Sequence, residues 1–348
     1  MNKKKRSVYT LAVDSLKSIT KNNIAPVYLI HGVNAFMSKK IRDKIVDYTL
    51  NEEDKEFNLS LYDLEETSID QVLEDAETLP FLGDKRVVVA KNAAFLTAEK
   101  SKDKVEHDLA KLQQYVEQPP SFSTLILLAP YEKLDERKKI TKLLKKQAAY
   151  IEANEFGEKE MKQWIHNLLS KDGVNMDEEA VTLLIQLVGL NVTLVTNEIE
   201  KMVLYVGQGG VITKEVVLKL VAKTLEQNVF TLIDAVIQRK VSTALNMYQD
   251  LLRNNEEPIK ILSLLATQFR LIYHTKQLSS QGYGQQQIAQ TIKVHPFRVK
   301  IALQQSRSFE EQQLKGILKD LAEADYEMKT GKMDKALILQ LFLLKRAQ

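Results

Sequence analysis

The chain of 348 residues contains no cysteine at all. That absence excludes a disulfide framework, a thiolate zinc site and a cysteine nucleophile, and it suits a reducing compartment. Tryptophan occurs once, and histidine five times, at His31, His107, His166, His274 and His295. None of the five forms a pair at metal-ligand spacing, so no metal site is expected. Charge of either sign is not in excess: the net charge is only +3, which argues against a protein that chiefly coats nucleic acid. Long apolar runs are also missing. The most continuous, "ALILQLFLL" at 336–344, falls well short of the about 20 residues a bilayer crossing needs. The basic start, "MNKKKRSVYTLAVDSLKS", is interrupted by Asp14 and Lys17 and does not read as a signal peptide. A cytoplasmic protein is expected.

What remains is an ordinary globular composition, 44% hydrophobic and 27% charged, long enough for two or three domains. The first part alternates strand-like and helix-like segments. Strands are predicted at "VYLIH" (27–31), "FNLSL" (57–61), "RVVVA" (86–90), "TLILLA" (124–129) and "AYIEA" (149–153). Several are unbroken apolar runs, as in a parallel sheet covered on both faces. Between them, Met37, Ile41, Ile45 and Tyr48 form one helical face, and Ser68-x-x-Gln71 predicts a capping box. The expectation is a three-layer α/β domain over 1–153.

From about residue 156 the strand signal disappears. Amphipathic segments bury Met161, Trp164, Ile165 and Leu168, then Val195, Ile199, Met202 and Val206, and stop at Gly173, Gly189 and Gly207. This predicts a small all-α domain over 154–222. A second all-α domain over 223–348 follows, in which Ser308-x-x-Glu311 predicts another capping box. Its last helix is apolar almost all round and should be covered.

The corner "VYLIHGVNAFMSKKIRDKIV" has the strand–turn–helix layout of a phosphate loop, but the residues do not fit. With Gly32 as the first glycine of G-x-x-x-x-G-K-[ST], the second glycine falls on Met37, the lysine on Ser38 and the hydroxyl on Lys39. Nor does a strand end supply a carboxylate to hold magnesium: "RVVVA" runs into Lys91–Asn92 and "TLILLA" into Pro130, with Asp135 and Glu136 further on. No cofactor and no catalytic residue are expected. In "TLPFLGDKR", Pro80 ends the preceding helix and leaves Leu79, Phe81 and Leu82 at a corner. They are either core residues or an exposed apolar knuckle of the kind that anchors an interface. The basic segment "KVHPFRVK", with Lys293, Arg298 and Lys300, is a candidate DNA contact or a solvated helix face.

Five segments in order, "TLPFLGDKRVVVAKN" (78–92), "TNEIEKMVLY" (196–205), "LATQFRLIYHTKQL" (265–278), "VHPFRVKIAL" (294–303) and "ADYEMKTGKMD" (324–334), resemble the delta subunit family of bacterial DNA polymerase III. Their local character is similar to that of low-GC Gram-positive bacteria. The resemblance implies a RecA-like, AAA+-type α/β domain with a degenerate phosphate loop, a small helical lid and a helical collar. It implies a clamp-loader subunit that binds the beta sliding clamp and opens its ring for loading onto primed DNA, without ATPase activity of its own. The implied partners are the clamp, the delta-prime and gamma or tau subunits, and DNA in the assembled replisome. No intrinsic catalysis is implied, only membership of a nucleotidyltransferase holoenzyme. Anchored on "GDKRVVV", the family's clamp-binding pair falls on Phe81 and Leu82, with Leu79 as accessory; here the aromatic comes first, so the pocket each fills stays open. The related delta-prime protein has a Ser-Arg-Cys motif that this cysteine-free chain lacks; Ser306–Arg307–Ser308 lies in the collar segment. Saturable ATP-analogue binding would instead identify an active nucleotide-driven motor. Tight, salt-sensitive duplex binding by the chain alone would identify a stand-alone DNA-binding helical protein.

Overall fold

The computed structural model describes residues 10–81, 83–98, 105–221 and 225–347. The chain divides into two compact units, one running to Phe156 and one from Gly157.

The first unit begins with β1 (Thr10–Leu11), α1 (Ala12–Ser18), β2 (Val27–His31), α2 (Ala35–Thr49) and α3 (Glu52–Asn58). It continues through β3 (Leu59–Asp63), α4 (Ile69–Glu77), β4 (Arg86–Lys91), α5 (Leu109–Glu117), β5 (Ser123–Ala129), α6 (Lys139–Gln147) and β6 (Ala149–Glu152). The six strands form one sheet in the order β1-β6-β2-β5-β4-β3, and every pairing is parallel. Side chains alternate between the faces of a strand. On one face Leu29, Val88, Leu125 and Leu127 pack with Val72, Leu112 and Leu144 of α4, α5 and α6. The alternate residues Tyr28, Ile30, Val89 and Ile126 are buried too, as are Met37, Ile41 and Ile45 of α2, which packs across the sheet. Two covered faces explain the unbroken apolar strands.

Two expectations in this unit shift. The strand predicted at 57–61 is β3 at Leu59–Asp63, because residues 57 and 58 end α3, whose first turn carries Glu52, Glu53 and Asp54. Acidic residues there favour a helix start. Tyr48 is only half-buried, and Val46 takes its place in the α2 face. Of the capping box predicted at Ser68, one half forms: the Ser68 hydroxyl accepts from the Gln71 N–H at 3.4 Å.

The second unit opens with α7 (Glu158–Leu169), β7 (Asn175–Met176), α8 (Glu178–Val188), α9 (Val192–Val206), β8 (Val211–Ile212) and α10 (Lys214–Leu220). Trp164 and Thr196 are joined in its interior, Nε1 donating to Oγ1 at 2.9 Å. The helices end as expected at Gly189 and Gly207, both at positive φ. Helix α7 instead stops at Leu169, before Gly173. Strand is not absent after 156: β7 and β8 form a short parallel pair, too brief for a sequence pattern to register.

Then follow α11 (Leu225–Ile237), α12 (Val241–Arg253), α13 (Pro258–Ser280), α14 (Gln285–Ile292), α15 (Pro296–Ser306), α16 (Glu311–Thr330) and α17 (Lys335–Ala347). They enclose a core that includes Leu232, Tyr248, Leu265, Phe269, Ile317 and Leu339. The predicted cap at Ser308 moves to Glu310, whose N–H donates to the Gln313 side chain at 2.8 Å. Phe309 packs edge-on to Phe269 and so belongs to the turn before α16. Helix α17 buries Ile338, Leu339, Phe342 and Leu343 but leaves Leu337 and Leu341 exposed. Among the described residues no helix is long and apolar enough to cross a membrane.

Candidate functional site

In an open parallel sheet, ligands enter beyond the carboxyl ends of the strands, beside a strand whose neighbours lead away in opposite directions. Here that strand is β2, between β6 and β5, and Gly32 follows it. Gly32 has φ +135°, and a Cβ there would lie 2.3 Å from the Ala153 carbonyl oxygen. Three backbone donors of this corner are already engaged. The Gly32 N–H donates to Ala129 O (3.0 Å) and the Asn34 N–H to Ala153 O (2.9 Å). The Met37 N–H donates to the Asn34 side chain (3.1 Å), and Met37 itself is fully buried. Lys39 is exposed. Ala129, Ala153 and the Asn34 side chain thus tie down part of the strand–helix corner.

Carboxylates at the end of edge strand β3 and in the segment after β5 are paired as well. Burial tends to raise the Asp63 carboxyl, but bonds from Lys91 (3.0 Å) and Asn92 (2.9 Å) outweigh it and hold the carboxyl below its ordinary range. Hydrogen bonds from Arg137 bring the Asp135 carboxyl down to about 2. Glu136 pairs with Lys145. Among the described residues no group of three or more His, Asp or Glu side chains could hold a metal ion.

His31, at the end of β2, is buried with Nδ1 3.0 Å from the Tyr150 hydroxyl. Its pKa lies below 6.5, chiefly through burial and secondarily through Lys145, against the opposing pull of Glu152. A depressed folded-state value means that the unfolded chain takes up the proton first. The contribution of His31 to stability is therefore whole above pH 6.5 and lost as pH falls through its lowered folded-state value. Nuclear magnetic resonance should find the His31 ring titrating below the ordinary histidine value of 6.5, with the melting temperature falling over the same interval. A His31 midpoint at or above 6.5 would refute this.

At the opposite edge of the sheet, where the strands begin, the segment 78–85 joins α4 to β4. Leu79 is 72% exposed and Phe81 57%, so neither belongs to the core; Leu82 lies outside the described residues. The segment is held at both ends. Arg86, almost fully buried, pairs through Nη1 with Asp75 of α4 and donates through Nη2 to Leu79 O at 3.4 Å. Tyr62 donates its hydroxyl to the same Asp75 carboxylate at 3.1 Å. Asn58, with no exposed surface, makes two bonds to the backbone of Phe81. The register Leu59↔Val87 sets Asn58 beside Arg86 at the strand starts, and this juxtaposition lets α3 meet the loop. Phe57, 52% exposed, stands with its ring centroid 5.5 Å from that of Phe81.

The sequence patterns missed Phe57, Asn58 and the Arg86–Asp75 pair. The first two fell inside the strand predicted at 57–61, and the only signal was an asparagine in an apolar run. In the second unit, Lys293 ends α14 with left-handed backbone (φ +54°), while Arg298 and Lys300 lie on α15. Lys300 is engaged by Glu158 at 2.9 Å.

Comparison with known proteins gives a consistent result. A model for "DNA polymerase III, delta subunit" matches residues 28–154, one for the C-terminal domain of the same family matches 226–346, and a middle-domain model matches 157–219. The chain is 46% identical to DNA polymerase III subunit delta of Bacillus subtilis, over 96% of each chain. It is 23% identical to a probable subunit delta of Aquifex aeolicus, over 92% of this chain and 91% of that one. The solved structure of the Bacillus subtilis DNA clamp loader delta protein superposes with a TM-score of 0.81, covering 97% of this chain and 99% of that one.

Proposed function

Because the chain belongs to the delta subunit family of DNA polymerase III, a clamp-loader component, we propose that it binds the beta sliding clamp through Leu79, Phe81 and Leu82 and opens the ring for loading onto primed DNA. The observation that carries this reading is the exposed Leu79–Phe81 knuckle on a segment anchored at both ends. Exposed large apolar side chains on an ordered backbone are the usual form of an interface anchor. A ligand shifts a conformational equilibrium only by its differential affinity for the two states. The knuckle therefore opens the ring by fitting the strained or parted clamp interface better than the closed one. A pull-down of purified sliding clamp with the full chain tests the reading; no clamp retained by the wild type would end it.

The chain contributes no ATP hydrolysis and no other catalysis in this reading. The three engaged donors of the Gly32 corner support this, as do the paired carboxylates Asp63 at the end of β3 and Asp135 beyond β5. A fluorescent ATP analogue is expected to show no saturable micromolar binding to the isolated chain, and saturation would overturn this part. ATP is then bound by gamma or tau neighbours, which together with delta-prime complete the loader. Segments 1–153, 154–222 and 223–348 act as clamp-binding domain, lid and assembly collar in the cytoplasm. Within the assembly Lys293 and Arg298 are the better candidates for contact with DNA, since Lys300 is held by Glu158.

A further inference from the structure

Beyond the apolar residues themselves, the tip contains a part whose chemistry fits presentation of the anchor. The Asn58 carboxamide brackets one residue: its Nδ2 donates to the Phe81 carbonyl at 2.8 Å, and its Oδ1 accepts from the Phe81 N–H at 2.7 Å. This is the pairing that a neighbouring strand would offer, supplied by one side chain at the end of α3. It satisfies both backbone groups of Phe81 and fixes the peptide that carries the ring. The close passage of Gly83 reinforces it, since a Cβ there would come within 3.2 Å of Asp54 Oδ1 and 3.3 Å of Asn58 Nδ2. The preceding residue, Phe57, is more than half exposed and its ring is tilted 54° to that of Phe81. One two-residue unit thus orders the anchor and adds a second aromatic surface to it.

We infer that Asn58 is a positioning residue for clamp docking and that Phe57 enters the same apolar pocket region of the clamp beside Phe81. This rests on the tip being the clamp-binding surface. An anchor on a mobile loop must be ordered on binding, which weakens the complex in proportion to the fraction of time the competent conformation is absent. Asparagine suits the position because its amide both donates and accepts. Aspartate at the same size keeps only the acceptor, and leucine keeps neither.

The test uses the full chain and purified sliding clamp, with dissociation constants by surface plasmon resonance for Asn58→Leu, Asn58→Asp, Phe57→Ala and, as control, Phe81→Ala. Asn58→Leu and Asn58→Asp are each expected to weaken binding by roughly 10–100-fold, the first by losing both bonds and the second by setting a buried carboxylate oxygen against the Phe81 carbonyl. Phe57→Ala should cost about 10-fold at an unchanged melting temperature, an ordinary effect for truncating an interface aromatic. Hydrogen exchange supplies a readout that a merely structural role would not move. In the Asn58 variants the Phe81 amide should exchange quickly while the β4 and β5 amides stay protected. Should Asn58→Leu fail to fold, the isosteric Asn58→Asp and Phe57→Ala still decide. The inference falls if Phe81→Ala weakens binding strongly while Asn58→Asp and Phe57→Ala bind like wild type. If Phe81→Ala itself binds like wild type, the clamp-docking reading of the tip fails instead.

Discussion

Alanine at both Phe81 and Leu82 is expected to abolish detectable clamp capture, weakening the complex by at least about 100-fold, while fold and loader assembly persist. The affinity half of this expectation follows from burial: two large apolar side chains transferred from water into a pocket contribute roughly 3–6 kcal/mol before ordering costs. Each tenfold in affinity is about 1.4 kcal/mol, so losing most of that contribution leaves little measurable binding. For Phe81 the folding half follows from exposure. Phe81 is 57% accessible and its ring meets that of Phe57, itself exposed, while the backbone around it is held by Asn58 and Arg86, which the substitutions leave in place. Surface substitutions away from special features usually stay within about 0.5 kcal/mol. Clamp pull-down, circular dichroism melts and size-exclusion chromatography with the other loader subunits measure the three consequences. A variant that unfolds would mean these residues support the core, and a variant that still captures clamp would mean the anchor lies elsewhere.

Exposure at residues 79–81 is what the sequence pattern could not supply. A Leu, a Phe and a Leu around a proline read the same whether they fill a core or stand in water, because composition reports hydrophobicity and not what covers it. Only the family resemblance pointed outward, and the structure agrees for Leu79 and Phe81. The strands were legible where both faces are covered: Val27–His31 and Ser123–Ala129 lie central in the sheet, and their runs leave no other reading. Strand β3 was legible only with shifted bounds, because it is an edge strand, half-exposed along its length, and its helical lead-in borrows the apolar Phe57. The Asn58 bracket spans 23 positions, beyond the reach of any local pattern. The failed phosphate loop was visible letter by letter, since glycine, lysine and hydroxyl are each demanded by a distinct contact. The way its backbone donors are satisfied instead was not, because Ala129 and Ala153 carbonyls carry no side-chain signature.

The Gly32 corner yields a second large expectation, and it separates two reasons for having a glycine there. If the glycine served only to let a phosphate approach, alanine would leave the apo fold untouched. The geometry requires otherwise. Residue 32 adopts φ +135°, a region L side chains rarely enter, and a Cβ would meet Ala153 O at 2.3 Å, Ala153 C at 2.4 Å and Asn154 N at 2.8 Å. All three are backbone atoms at the end of β6, and two of the sheet's closing bonds run through the same place: Ala153 N–H to His31 O at 2.7 Å and Asn34 N–H to Ala153 O at 2.9 Å. Relief of the overlap must therefore part β2 from β6 in the middle of the sheet or pull the Asn34 cap from α2. Backbone strain and a lost cap together place the cost of Gly32→Ala at roughly 3–5 kcal/mol. For a unit of this size that corresponds to a fall of about 6–20 °C in its melting temperature. Differential scanning calorimetry of the full chain reads this directly, and a transition unmoved by the substitution would show that the corner tolerates a side chain. Clamp affinity measured well below the transition should be nearly unchanged, because the Phe81 tip lies at the other edge of the sheet and is held by α3, α4 and β4 rather than by this corner.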